Sequence, residues 1–172
     1  MVDLDLRGAL IYVHLTGVII FLIAHGTSAS VGFRLRRERE PVKVSALLEA
    51  SGSTLGVMGI GWMLVLISGI VLGVQYWLNG GVRLGWFYAS IVVFMAVTFS
   101  MTPLTRGYLK ARGALGVKPG MVSPKAWQKI QAKGYTRDKL GEYLNETNPM
   151  ALASIGFGGV LVLMFLMMFK PF

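Results

Sequence analysis

Four stretches of this chain contain no Lys, Arg, Asp or Glu, and every charged side chain lies between or outside them. They run from about Gly8 to Phe33, Thr54 to Leu78, Leu84 to Thr102 and Met150 to Phe169. Uncharged apolar runs of this length are the pattern of membrane-crossing helices, because about 20 residues rising about 1.5 Å each span a hydrocarbon core of roughly 30 Å. The first run reaches roughly 39 Å as a helix, so it tilts or projects into the headgroup layer.

The polar connectors predict where these helices end. Arg34-Leu35-Arg36-Arg37-Glu38-Arg39-Glu40 closes the first, and Pro41 blocks its continuation. Val42 to Ala50 reads as a short separate amphipathic piece with Val44, Leu47 and Leu48 on one side. Asn79-Gly80-Gly81 predicts a tight turn, since Asn and Gly accept positive φ, and makes the second and third spans antiparallel neighbours. The third span stops at Pro103. In the long loop, Ser123-Pro124 predicts a helix over Lys125 to Ala132 that Gly134 ends, and Thr136 caps another through Leu144. Pro149 opens the fourth span. Residues 1–172 therefore read as one domain: an all-α, integral membrane four-helix transmembrane bundle, with basic loops at about 34–53 and 104–148 and short interfacial helices in the second.

Composition agrees with this pattern. The chain is 54% hydrophobic and only 15% charged, with a mean hydropathy of +0.61. A soluble domain carries about 25% charged residues. No cysteine is present, which excludes disulfides and thiolate chemistry. The net charge of +9 is placed unevenly: five Lys and Arg lie in the first loop, nine in the second, and only Arg7, Arg83 and Lys170 elsewhere. Cytoplasmic loops carry such an excess, so both basic loops face the cytoplasm and both termini face outward. Asp3 and Asp5 replace the basic start of a signal peptide, so the first span reads as retained. The basic charge serves topology rather than nucleic acid, and its partners are anionic lipid headgroups. Trp127, on one helix with Ile130, reads as an anchor at the inner interface, and Tyr76, Trp77 and Trp86 as an outer aromatic belt. Asn145-Glu146-Thr147 matches a glycosylation acceptor by chance, being on the cytoplasmic side.

Candidate chemistry is sparse. His14 and His25, the only histidines, both lie in the first span, where an ionisable group is a functional hypothesis by default. Eleven residues bring them to within about 20° of one face but about 16 Å apart along the axis. A metal holds its nitrogen ligands at about 2 Å, so each histidine needs a partner from another helix or subunit. The simpler reading is that both hydrogen-bond to neighbouring helices. Met63, Met95 and Met101 are thioether candidates whose ordinary role is packing. The spans contain no carboxylate, which argues against an ion-coupled transporter. Small residues recur at four-residue spacing: Ala24, Ser28 and Gly32, then Gly52 and Gly56, Gly69 and Gly73, and Gly156 with Gly159 close by. Such rows let helix backbones approach closely.

Several of these features occur together in a known group. His14-x-x-Gly17, the cluster Arg34-Leu35-Arg36-Arg37, the run Leu66 to Gly73 and Trp86 at the opening of the third span resemble the four-helix bacterial membrane proteins around the CopD-like copper-resistance domain and its relatives of unknown function. Over Leu10 to Pro103 the chain is also distantly similar to the four-helix, heme-dependent protoporphyrinogen oxidases. That resemblance implies heme ligation by the residue at His14. The oxidase lysine opposite has no counterpart, since Leu84 to Thr102 contains neither lysine nor histidine. The expected function is a non-catalytic accessory or structural subunit of a larger membrane complex, packed on other subunits or on a second copy through its glycine-rich faces. The alternative is a heme b or metal-binding electron-transfer protein using His14 and His25, with a symmetric dimer stacking each histidine against its own copy. A transporter ranks last.

Overall fold

The computed structural model describes residues 5–81, 85–120 and 122–171. Asp3, Arg83, Leu84 and Phe172, which enter the expectations above, lie outside the described residues. The chain is helical, with α1 Leu6–Leu35, α2 Pro41–Leu78, α3 Gly85–Leu104, α4 Arg106–Leu115, α5 Pro124–Gln131, a single 3-10 turn at Arg137–Lys139, α6 Leu140–Asn145 and α7 Pro149–Phe169. Four helices, α1, α2, α3 and α7, are long and apolar enough to cross a membrane, the signature of a multi-pass membrane protein.

Local chemistry accounts for most boundaries. Asp5 accepts from the Arg7 amide at 3.1 Å and starts α1. Pro41, Pro124 and Pro149 each occupy the first turn of a helix, where a missing N–H costs nothing. Ser123 caps α5 through the Ala126 amide at 3.3 Å, and Asn148 caps α7 through the Ala151 amide at 3.0 Å. Gly80, Gly116 and Gly134 have φ of +82°, +73° and +66° and end the helices before them.

Two boundaries differ from expectation. The piece at Val42 to Ala50 and the second span form one uninterrupted helix, α2, of 38 residues. At about 1.5 Å per residue this is roughly 57 Å, so its first turns extend past a bilayer core. An interior glycine such as Gly52 weakens a helix by only about 1 kcal/mol and does not end it; the Arg112 guanidinium packs on that glycine and bonds the Leu48 carbonyl one turn earlier. Helix α4 forms where the pattern predicts loop. Its Tyr108, Ala111, Arg112 and Leu115 repeat at i, i+3, i+4 and i+7 and face inward, a pattern hidden by two glycines and a buried arginine.

Helix α1 packs along α2 and also touches α7, which in turn packs on α3. Side chains link α2 to α3: Trp62 stacks on Phe94 at 5.3 Å and donates from Nε1 to Thr98 Oγ1 at 3.2 Å. At the other end of α2, Tyr76 meets Trp86 edge to face, with Lys170 Nζ 4.9 and 5.1 Å from their ring centres. Trp86 is therefore buried in a three-helix clasp rather than facing outward, and of the three belt aromatics only Trp77 is exposed.

The polar half of the chain forms a cap. Leu35, Val44 and Leu48 from the ends of α1 and α2 close with Ala111, Val117, Leu140, Tyr143 and Leu144 into one hydrophobic core. Trp127 is buried as well, outside that cluster, on α5, whose Ile130 reaches Gly113 of α4. The expected Trp127 anchor is thus a packing residue of the cap, because α5 has α4 to lie on.

Candidate functional site: the two span histidines

His14 lies one turn before Gly17, where α1 and α2 come together. A Cβ added at Gly17 would stand 2.8 Å from Leu64 Cβ, and one at Gly61 would stand 2.7 Å from the Phe21 backbone nitrogen. Only glycine allows that approach. His14 is then 8% exposed, and its Nδ1 lies 3.0 Å from Ser68 Oγ. Ser68 donates its hydroxyl proton to the Leu64 carbonyl, which can only accept. Ser68 thus bridges the Leu64 carbonyl and the imidazole, holding the ring through Nδ1 and leaving Nε2 as its other nitrogen. This is the arrangement in which a ligating histidine is oriented by a hydrogen bond from its other nitrogen. Gly69 leaves room for the ring: a Cβ there would be 3.1 Å from His14 Cε1.

His25, although close to the same face of α1 by spacing, meets a different neighbour. Its ring is parallel to Phe21 at 5.7 Å and edge-on to Phe157 at 5.1 Å. It presses against Gly156 of α7, where a Cβ would stand 2.1 Å from Nε2 and 2.6 Å from Cε1. The imidazole is 5% exposed, and Nε2 has no hydrogen-bond partner among the described residues. The difference from His14 arises because α2 covers the part of α1 around Gly17, whereas α7 covers the part around His25 and Gly32.

Heme can be tested against these two seats. A porphyrin on a histidine extends across both faces of the ring at the ligating nitrogen. At His25 the α7 backbone fills that space, so a heme does not fit. At His14, Ser68 holds the ring through Nδ1, so Nε2 is the nitrogen that could ligate. His14 and His25 are not brought together, and no group of three His, Cys, Asp or Glu able to hold a metal occurs among the described residues.

The small residues are mostly used within the chain. Ala24, Gly32, Gly52, Gly73, Gly156 and Gly159 are buried, and Ser28 and Gly69 are half-buried. Gly73 faces Phe87, and Gly159 faces Val97 of α3. Gly56 is half-buried, and a Cβ added there would meet nothing within 4 Å. Sequence reasoning missed Ser68 and Gly61. Gly61 continues the four-residue row of Gly69 and Gly73, which was the signal available for it.

Among the described residues Arg112 is the buried cation of the cap, 3% exposed. Burial lowers its pKa, yet a guanidinium stays protonated at physiological pH. Its Nη2 donates to the Leu48 carbonyl at 2.5 Å, and Nη1 has no partner among the described residues. Lys110 and Glu146 form an ion pair at 2.6 Å that ties α4 to the end of α6 and raises the lysine pKa.

Comparison with family models, with curated proteins and with solved structures finds no match to this chain.

Proposed function

We propose that the chain is a non-catalytic accessory subunit of a larger complex in the bacterial cytoplasmic membrane. It is folded as a four-helix transmembrane bundle with both termini outside. The basic cap faces the cytoplasm, against anionic headgroups. One observation carries this reading: polar groups in the spans hold helix to helix instead of converging on a reactive centre. His14 joins Ser68 and Trp62 joins Thr98, while His25 fills an aromatic seat on Gly156. The cap, by contrast, has its own core and directs most of its lysines and arginines outward, where an acidic subunit surface would meet them. The test is native mass. Extracted from its own membranes in mild detergent, the chain should migrate in an assembly well above the micelle-bound 18.8 kDa chain. Migration identical to the purified chain in the same detergent overturns the reading.

A second reading rests on the His14–Ser68 pair. In it, His14 would hold a heme b through Nε2, with a second copy of the chain completing the site, and the heme would supply one-electron transfer. Ser68 would hold the imidazole ring in place. A Soret band after heme is supplied, abolished by His14→Ala and shifted by Ser68→Ala, is expected. No band in the intact chain overturns it.

A further inference from the structure

The first loop carries a pocket that the topology does not require. It has a volume of about 460 Å³ and is lined by Phe33, Arg36, Arg37, Arg39, Asn145 and Met150. It lies where α1 ends and α7 begins, at the level where two apolar spans stop. Its upper wall is cationic. Arg36 donates from Nη1 to the Thr147 carbonyl at 2.8 Å, and Arg39 donates to the carbonyls of Arg36 and Glu38 and, from Nη2, to Asn145 Oδ1 at 3.0 Å. Neutral acceptors thus orient both guanidinium groups, and among the described residues only the Glu38 carboxylate, on the side of the neighbouring hollow, acts electrostatically on Arg39. The two ion pairs among the described residues, Lys43–Glu40 and Lys110–Glu146, include no arginine. Phe33 and Met150, 40% and 64% exposed, form an apolar floor on the span side. The first turn of the 21-residue α7 adds the positive end of a helix dipole. A neighbouring hollow of about 500 Å³ shares Arg37 but contains Glu38, whose carboxyl the Glu40 and Arg39 amides hold ionised, and so suits an anion less.

We propose that this pocket binds the phosphate of one anionic phospholipid of the adjoining leaflet, with Arg36, Arg37 and Arg39 on the headgroup and Phe33 and Met150 against the acyl chains. Guanidinium forks match phosphate oxygens in pairs, and a soluble phosphate would have no use for the apolar floor. The inference rests on α1 and α7 crossing a bilayer, which retention in carbonate-washed membranes checks separately.

Native mass spectrometry of the purified full chain, with phosphatidylglycerol or phosphatidylcholine added, tests the site. One phosphatidylglycerol should be retained per chain, in preference to phosphatidylcholine. Arg37→Gln, at an exposed residue with no structural hydrogen bond in the pocket, should weaken retention about fivefold. Arg36→Gln with Arg39→Gln should weaken it further, whereas Lys125→Gln with Lys129→Gln on α5 should leave it unchanged. Equal loss in the α5 variant, or equal retention of the two lipids, overturns the proposal. Displacement of the lipid by millimolar glycerol phosphate or inorganic phosphate would assign the pocket to a soluble anion and overturn it equally.

Discussion

The cap and the spans of this chain are both helical, yet they are built from opposite materials. Among the largest fully buried side chains of the protein are Leu35, Val44, Leu48 and Leu144, all in the cap. In the spans the buried positions are mainly small or polar: Gly17, Ala24, Gly61, Ser68, Ser90, Gly156 and the two histidines. Large apolar side chains there, such as Ile60, Val92 and Leu161, point outward. The difference teaches which force holds each region. Water drives leucine inward in the cap. Lipid is as apolar as leucine, so span helices gain from backbone approach and from the few polar contacts between them.

Four substitutions can break or sharpen that contrast. Leu144→Ala empties a fully buried site and should destabilise the cap by about 2–5 kcal/mol. Urea titration followed by Trp127 emission, with Trp62, Trp77 and Trp86 replaced by Phe in both parent and variant, reads this, while far-UV helicity of the spans should persist. A cap no weaker than the parent would remove the aqueous half of the comparison. Gly61→Val forces a side chain into the α1 backbone and should cost about 1–3 kcal/mol. Unfolding in mixed micelles of rising SDS content measures it, and an unchanged midpoint would mean that close approach is not what joins α1 to α2. Ser68→Ala removes the partner of His14 and should cost only about 0.6 kcal/mol in the same assay, the size typical of a hydrogen bond within a membrane. A much larger loss would show polar contacts, not packing, to dominate the spans. Gly56→Ala is the control. Nothing lies within 4 Å of the new methyl group, so stability should be unchanged or slightly raised.

Much of the fold was legible from patterning alone. The termini of α1 and α7 fall within a few residues of their apolar runs, because charge ends a span and proline or an Asx cap starts one. The cap was legible only in fragments. Its α5 was marked by Ser123-Pro124, but α4 was masked by Gly107, Gly113 and Arg112, whose burial no local signal announces. The site was partly legible in the same way. His14 stood out as an ionisable group in an apolar run. Ser68, 54 positions away, is an ordinary hydroxyl until α2 folds back along α1.

Hydropathy and charge along the chain sufficed to establish a multi-pass helical protein with its cations gathered in two connectors. Both are properties of segments, summed residue by residue against water or lipid, and need no knowledge of neighbours. Folding alone determined that His14 meets Ser68 while His25 meets Gly156, that the basic connectors build a core with the ends of α1 and α2, and that three arginines turn toward one pocket. Those outcomes depend on which surfaces touch, and contact between distant helices is a property of the packed chain, not of any stretch of it.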